Sequence, residues 1–469
     1  MFDPAGRQLS QRIWSLTWPL MVANALELAV GLIDLWLVRP FGPAATAAIG
    51  VGRQVTFLVE TVAVAITAGV IPLISQGVAA RSRPERSGEG TMAPVVDPDK
   101  VVRQSVGLVL LIGLPTALVG YWLSEPLLVC LQARTETRAY GTPYLQVYFA
   151  GLLFTWGSLV GAALFRATGD VWTPLKLVLG VSLLQVVLDY LFIYGVGPLP
   201  AFEVQGAAMG AVCARGCGTA VFLFLLLGGT GPLRLRWSSF PGLDWKLIGS
   251  LLRIGVPMAL ANLLRHGSRV VFLAIAGASA LGVSLQAAVG VALQVRLISI
   301  LVALAFQTAS ATLVGQAIGR DDFHQAEALG RRSVQLLALL MGIISGLLLV
   351  LADPLAALFL AAPEVAGLGA KVLRWFAVAQ FFSATSIGIQ GALLGAGDTR
   401  PALRYTLVSE WCLMLPLSYC LVVLDWVPDG LLAAWVLAPA LTLALMRRRF
   451  RSGRWKQASR RVVKKFVKD

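Results

Sequence analysis

Residues 13–38 read IWSLTWPLMVANALELAVGLIDLWLV, and this stretch decides the class of the protein. It is long enough to cross a bilayer as a helix, which takes about 20 mostly apolar residues. It nevertheless contains Pro19, Asn24, Glu27 and Asp34. A charged side chain at the centre of a membrane costs roughly 2.5–3.5 kcal/mol on insertion scales, so each such carboxylate needs a reason. The stretch therefore predicts a membrane helix that carries functional groups.

The rest of the chain has the same apolar character. Of its 469 residues, 57% are hydrophobic and only 13% are charged, whereas soluble domains carry about 25% charged residues. Apolar stretches that could span a membrane occur at 13–38, 49–78, 103–123, 139–165, 172–195, 205–228, 246–277, 284–318, 331–352, 368–396, 401–424 and 430–446. We therefore predict an all-α, multi-pass integral protein of the cell (inner) membrane with about twelve transmembrane helices.

The positive charge of the chain is concentrated outside these stretches. The net charge is +15, and the tail at 447–469 alone holds eleven Lys and Arg residues and one Asp. A basic block that follows a hydrophobic segment is typical of attraction to anionic lipid, so we expect membrane lipid and no nucleic acid as a partner. Lys and Arg also favour the even-numbered connections, which predicts that both termini are cytoplasmic. The polar stretch 81–100 is predicted to be a flexible cytoplasmic loop.

The two halves of the chain repeat each other. Trp18-Pro19-Leu20 with Asn24 matches Val256-Pro257-Met258 with Asn262, and further matches follow in the same order, up to the Gly-Asp pairs that end in Asp170 and Asp398. Six spans in each half predict two six-helix lobes related by an axis along the membrane normal, as in parallel-repeat transporters. We expect an N-lobe at 1–230, a C-lobe at 231–446 and a basic cytoplasmic tail at 447–469. Lobes that rock in an inverted-V arrangement would open a cleft to alternate sides, which favours transport.

Carboxylates inside the first half are candidates for coupling transport to a cation. Glu27 and Asp34 are seven residues apart and share a helix face, and Asp189 follows Gln185 by four residues. Asn24 lies close to the first face, and Glu60 lies in the second span. We expect these groups to converge on an acidic pocket in which Asp34 and Asp189 bind protons or, alternatively, ligate sodium.

The second half is basic where the first is acidic. Arg265, His266 and Arg269 crowd the seventh span, Arg296 lies in the eighth and Glu410 in the eleventh. This pattern fits either a site for anionic groups or ion pairs within the lobe, for example of Glu410 with Arg296 or Arg404. Asn262 and Arg265 are candidates for substrate contact. Pro19 and Pro257 occupy matching points in their spans and are predicted hinges, because proline bends a membrane helix.

Taken together, these residues resemble the multidrug and toxic compound extrusion (MATE) family over about 12–447. The repeat, the Pro and Asn at the start of each half, the Gly-Asp…Pro motifs and the stretch LDYLFIYG at 188–195 carry the resemblance. It implies cation-coupled export of amphipathic, usually cationic compounds, with Asp34 and Asp189 on the acidic positions of a proton-linked branch. Two positions depart from the family pattern. Gln185 replaces the usual Asn, and Arg265 replaces a Glu of another branch, which disfavours a C-lobe sodium site of that kind.

Other functions remain open at the level of the sequence. A flippase for lipid-linked oligosaccharides or their precursors, from the same superfamily, would suit Arg265, Arg269 and Arg296. An enzyme is disfavoured because no catalytic motif is clustered, and an ATP-driven pump because no Gly-rich phosphate loop occurs. A channel would not need two similar lobes. We expect a monomer without a cofactor, driven by a transmembrane H⁺ or Na⁺ gradient.

Overall fold

The described part of the chain consists mainly of helices. The computed structural model describes residues 4–82, 96–195, 198, 200–229, 231–235, 242–360 and 362–464, with the side chains of 4–5 and 460–464 left out. In these residues eleven helices are long and apolar enough to cross a membrane, and twelve if one bent pair counts as a single span. The predicted all-α membrane fold with about twelve spans is therefore confirmed.

The helices of the first half begin and end close to the predicted spans. They are α1 (Pro4–Val38), α2 (Pro43–Arg81), α3 (Pro98–Cys130), α4 (Thr135–Ala150), α5 (Leu152–Thr168), α6 (Trp172–Tyr194) and α7 (Glu203–Gly228), with a 3₁₀ turn at Arg39–Phe41. Proline at the first helical position opens α2 and α3, where its missing N–H costs nothing. Asp97 precedes α3 and its side chain accepts a hydrogen bond from the backbone N–H of Asp99 (3.2 Å), which caps that helix.

The second half is built in the same way. Its helices are α8 (Trp245–Gly277), α9 (Gly282–Gly319), α10 (Phe323–Val350), α11 (Ala352–Phe359), α12 (Pro363–Gly395), α13 (Arg400–Thr406), α14 (Leu415–Val423), α15 (Asp429–Arg451) and α16 (Arg454–Lys464). A π-helical stretch, Leu407–Met414, joins α13 to α14, so that the three segments together form one span. Such stretches are often found at functional sites, and this one contains Glu410.

The described residues fall into two compact units that divide at the repeated prolines. One unit holds the described residues from Pro19 to Val256, and the other holds those up to Trp18 together with those from Pro257 onward. Helices α1 and α8 therefore each contribute to both units. The predicted boundary between lobes at 230/231 stays a prediction, as does the separate tail at 447–469.

Each unit holds the first part of a helix that ends in the other. In the unit of residues 19–256, the start of α8 packs on α2 almost backbone to backbone, because a Cβ atom at Gly69 would clash with the carbonyl of Leu251, and one at Gly255 with that of Ala65. In the other unit, Trp14 of α1 contacts Phe306 at 5.7 Å between ring centroids. Pro19 and Pro257 thus mark equivalent points, because the helical segment before each proline packs in a different unit from the segment after it.

The core of the second unit lies where α12 crosses α9. A Cβ atom at Gly391 would clash with the backbone of Gln307, and one at Gly395 with the backbone of Ala311, so glycines set the separation of these helices. Close packing of this kind suits membrane helices, which associate through small residues. The polar side chains that this interface encloses, among them Gln390, are considered further below.

Two regions differ from the simplest expectation. The span predicted at 139–165 is bent by 55° between α4 and α5, and Gly151 at the break faces Val212 so closely that a Cβ atom would clash. Of the loop predicted at 81–100, residues 83–95 lie outside the described residues. Its ends are structured, since Arg81 of α2 pairs with Asp97 and with Asp99, the second at 2.9 Å.

The repeated Gly-Asp motif performs a different local task in each half. Asp170 accepts hydrogen bonds from the backbone N–H groups of Trp172 (3.1 Å) and Thr173 (3.0 Å), which caps α6. Asp398 instead accepts a hydrogen bond from Nε of Arg449 (2.8 Å), which ties α15 to the turn before α13. Part of the basic tail therefore has a structural role.

Candidate functional site

A cavity of about 400 Å³ lies inside the unit of residues 19–256. Helices α1, α2, α4, α5, α6 and α7 all contribute to its wall. The apolar part of the wall includes Leu20, Ile49, Phe57, Leu159, Val178 and Phe222. Small-molecule sites typically enclose about 300–1,000 Å³ and combine an apolar wall with a few placed polar groups. The cavity therefore has the size and lining to hold an amphipathic organic molecule.

Most of the polar residues predicted from the first half line this cavity. They are Asn24, Glu27, Asp34, Glu60 and Gln185. Helix periodicity explains the contribution of α1, because positions 24, 27 and 34 lie on one face. Asp189 lies behind that wall and is 0% exposed. The structure thus brings the carboxylates predicted from the sequence into one region, while their roles stay predictions.

Asp34 and Asp189 form a carboxyl pair at the back of the cavity. Their side chains interact with each other, and Nε2 of Gln185 donates a long hydrogen bond of 3.5 Å to Oδ2 of Asp34. The side chains of Gln185 and Arg215 also interact with the carboxyl of Asp189. Two adjacent carboxylates repel each other when both are ionised, and one shared proton removes that repulsion. The pair is therefore suited to holding and releasing a proton.

Two neighbouring features place this pair. A Cβ atom at Gly210 of α7 would clash with Oδ1 of Asp189 and lie 2.8 Å from its backbone nitrogen, so only glycine leaves room for the carboxyl there. Five residues beyond Asp189, the Tyr194 hydroxyl donates a 2.6 Å hydrogen bond to the Leu37 carbonyl. This bond joins the end of α6 to the end of α1, and it holds the two aspartates in register.

The sequence prediction missed three arginines that share the cavity. Arg53 of α2, Arg166 of α5 and Arg215 of α7 all line it. Arg53 lies over the backbone of Gly31, where a Cβ atom would meet its guanidinium. Arg53 and Arg215 both interact with Asp34. Four carboxylates and three guanidinium groups give the region a formal charge of −1, so the pocket is closer to neutral than the predicted acidic pocket.

A second electrostatic group lies on the same wall, away from the aspartate pair. Glu60 interacts with Arg215, with Glu27 and with the side chain of Tyr148. Arg215 in turn interacts with both glutamates, so it stands between this group and Asp34. The arginine links the two sets of carboxylates, which means that a change of charge at one set is felt at the other.

The remaining predicted residues belong to the unit that continues from Pro257. Arg265 donates a 3.3 Å hydrogen bond from Nη2 to Oε1 of Gln390, and its Nε lies 3.9 Å from Oε1 of Glu410. Asn262 lies one turn before it on α8 and is partly buried. Among the described residues the ion pair of Glu410 is therefore made with Arg265, where the sequence suggested Arg296 or Arg404.

Comparisons with known proteins agree with this architecture. The sequence profile of the MatE family matches residues 19–191 and 257–420, so its two segments begin at the repeated prolines. The chain is similar to "Probable multidrug resistance protein NorM" of Thermotoga maritima, with 26% identity over 465 residues that cover 96% of this chain and 94% of that protein. It is also similar to "Multidrug resistance protein PmpM" of Pseudomonas aeruginosa, with 27% identity, covering 91% of this chain and 87% of PmpM.

A solved structure shows the same fold. The outward-facing structure of a multidrug resistance MATE family transporter of the MOP superfamily superposes with a TM-score of 0.84 at 20% identity, over 97% of this chain and 100% of that chain. The two-segment profile match covers well over half of the chain. The chain therefore belongs to the MatE family and is a multi-pass membrane transporter, not an enzyme.

Proposed function

We propose that this protein is a proton-driven antiporter that exports amphipathic organic compounds across the cell membrane. The observation that supports this most directly is the position of Asp34. One side of its carboxyl faces the cavity, and the other side contacts the fully buried Asp189. A group in this position can interact with a proton held at Asp189 and with a molecule in the cavity.

In this arrangement, binding of a proton and binding of a cationic substrate oppose each other. When the aspartate pair holds no proton, its excess negative charge attracts the cationic end of a compound in the cavity. When a proton binds the pair, that charge falls and the attraction to a cation weakens. Two ligands that weaken each other's binding are exchanged across the membrane, because loading one favours release of the other.

The energy for export would come from the ion gradient. One pH unit corresponds to about 1.4 kcal/mol per proton, and 100 mV of membrane potential to about 2.3 kcal/mol per charge. A proton requires only the carboxyl pair, whereas a hard metal cation takes a shell of several oxygen ligands. For this reason we propose the proton, and not sodium, as the coupling ion. The experiment below tests the two ions separately.

The hinge proposed for this cycle lies in α1. Pro19 divides the part of the helix in one unit from the part that carries Asp34 in the other. Proline removes one backbone hydrogen bond and so makes the helix easier to bend at that point. Pro257 has the equivalent position in α8. Alternating access by bending at these points, with both termini cytoplasmic, completes the proposal.

The experiment uses purified protein in liposomes, oriented by a protease-accessible tag, with a fluorescent cationic dye as substrate. Dye transport is measured under an imposed pH gradient and separately under an imposed sodium gradient. We expect transport with the pH gradient alone, and loss of at least 90% of it in Asp189→Asn and Asp34→Asn. Glu125→Gln serves as a matched control, because Glu125 is an exposed acid of α3 outside the cavity.

The two other outcomes have distinct meanings. Transport with the sodium gradient alone would keep the export function and replace the proton with sodium at Asp34 and Asp189. Full pH-driven transport in Asp189→Asn would refute the role of the pair. The flippase alternative predicts no dye transport under either gradient, together with accumulation of lipid-linked precursors in a deletion strain.

A further inference from the structure

A second polar cluster lies inside the unit that continues from Pro257, apart from the cavity described above. Its cations are Arg265 and Arg269 on α8 and Arg296 on α9, and its one carboxylate is Glu410 in the π-helical stretch. These four groups interact with one another. Their formal charges sum to +2. His266 of α8 is a further neighbour of the three arginines.

The carboxylate already has its own partners. Glu410 accepts a 2.5 Å hydrogen bond from the Ser268 hydroxyl and lies 3.9 Å from Nε of Arg265. Arg265 is also bound to Gln390, as described above. Arg269 and Arg296 therefore carry the positive charge that Glu410 does not balance. A buried charge without compensation is destabilising, so a nearby anion would be strongly favoured.

Two buried side chains of this cluster carry polar atoms without partners among the described residues. Arg296 is 7% exposed, and its Nε is buried with no hydrogen-bond partner among the described residues. The same holds for both amide atoms of Gln380 of α12, which is 1% exposed. Buried polar groups are normally hydrogen-bonded, and those that are not call for a specific reason. Here the orphaned donors are a guanidinium N–H and an amide N–H.

These groups surround a small cavity of about 30 Å³. Arg269, Arg296, Gln380, Ser268 and Glu410 line it, and Phe376, Met414 and Trp435 form its apolar side. A cavity needs about 10–15 Å³ to admit one water-sized particle. The space therefore suits an ion of about that size and excludes a phosphate ester or an organic substrate.

We propose that this cluster is an anion site that binds a single halide-sized ion, chloride being the most available one, between Arg269, Arg296 and Gln380. Such an ion would reduce the charge excess from +2 to +1 and accept the donated hydrogen bonds. The Nε of Arg296 and the amide of Gln380 provide donors from α9 and α12, and Arg269 provides a third from α8. The site would bind three helices of this unit together and make its stability depend on chloride. This inference is independent of the proposed proton coupling.

Binding of radiolabelled chloride to the purified protein in detergent tests the site directly. We expect saturable binding of about one chloride per chain, displaced by bromide and not by gluconate. In Arg296→Gln the affinity should fall at least tenfold. Arg404→Gln is the matched control, because Arg404 is exposed on α13 and outside the cluster, and it should bind as the wild type does.

Two further variants keep the test decisive if Arg296→Gln folds poorly. Gln380→Met removes the amide donor without changing any charge and should weaken chloride binding severalfold. Glu410→Gln removes the negative charge beside the site and should strengthen binding severalfold. The midpoint temperature of thermal unfolding should be higher in chloride than in gluconate. The size of this increase should rank the variants in the same order as their chloride affinities. Absence of saturable binding in the wild type, or equal binding in wild type, Arg296→Gln and Gln380→Met, would overturn the proposal.

Discussion

Replacing Gly210 by alanine tests the packing that places Asp189. The added Cβ atom would overlap Oδ1 of Asp189 and lie 2.8 Å from its backbone nitrogen and 3.0 Å from its Cγ. Contacts of a Cβ atom are ordinarily 3.4 Å or longer. The backbone of α6 would therefore have to withdraw from α7 by about 0.6 Å, the difference between 3.4 and 2.8 Å, and the carboxyl would have to rotate away.

The size of the effect follows from this displacement. Overpacking of a well-packed interface costs about 1–3 kcal/mol. A misplacement of about 1 Å at a functional group can reduce a rate about a hundredfold. A shift of about 0.6 Å at Asp189 should then lower the pH-driven transport rate about tenfold. The apparent affinity for the dye should change less, because Gly210 does not line the cavity.

The assay compares Gly210→Ala with Gly180→Ala in proteoliposomes under the same pH gradient. Gly180 lies on α6, and nothing lies within 4 Å of a Cβ atom placed there. Gly180→Ala should keep the wild-type rate, since alanine favours a helix over glycine by about 1 kcal/mol. A wild-type rate and unchanged thermal stability in Gly210→Ala would refute the view that the carboxyl pair depends on this close approach.

Three further predictions address a hydrogen bond that supports the site, an ion pair outside the cavity and the hinge. Tyr194→Phe removes the 2.6 Å hydrogen bond to Leu37, and we expect a loss of about 1 kcal/mol in thermal unfolding and a slower pH-driven rate. Hydrogen bonding to the Lys100 ammonium lowers the pKa of Asp244 from its ordinary value of 3.8. A carboxyl with a lowered folded-state pKa stabilises above its unfolded pKa. The wild type should therefore be more stable than Asp244→Asn at neutral pH, and the difference should shrink as the pH falls below about 4 in pH-dependent unfolding. Pro19→Ala should slow transport while leaving equilibrium dye binding intact, and an unchanged rate would count against the hinge.

The membrane architecture could be predicted because it depends on local composition. A chain segment in lipid must satisfy its backbone hydrogen bonds, and a single long apolar stretch such as 13–38 can do so only as a helix, so it predicts its own structure. The bend at Gly151 could not be predicted in this way. Gly151 at the break lies against Val212 of another helix, and the sequence pattern of residues 139–165 does not reveal this long-range contact.

The candidate site was predicted in part, and the omissions have physical causes. Asp34 and Asp189 were found because charge inside an apolar span is costly. The same criterion applies to Arg53 and Arg215, which also lie in predicted spans, and it would have shown that the pocket is mixed in charge. Gly210 carries no such signal, since a glycine in a membrane helix is common and its role depends on which side chain lies opposite.

The arrangement of α1 gives a physical reason for coupling a local charge to a large movement. Signals between distant sites need an element with two arrangements that both sites can bias. In α1 the carboxyl of Asp34 lies in one unit, Trp14 packs against Phe306 in the other, and Pro19 stands between them. In the proposed cycle, a proton that changes the preferred position of Asp34 would act on a helix whose first turns are held in the other unit, so the strain would fall on the segment with the missing hydrogen bond. The second half repeats the proline, yet at the positions that match Glu27 and Asp34 α8 carries Arg265 and Phe272. If the proposed proton coupling holds, the two halves share a hinge position, and we expect only the first half to respond to the pH gradient.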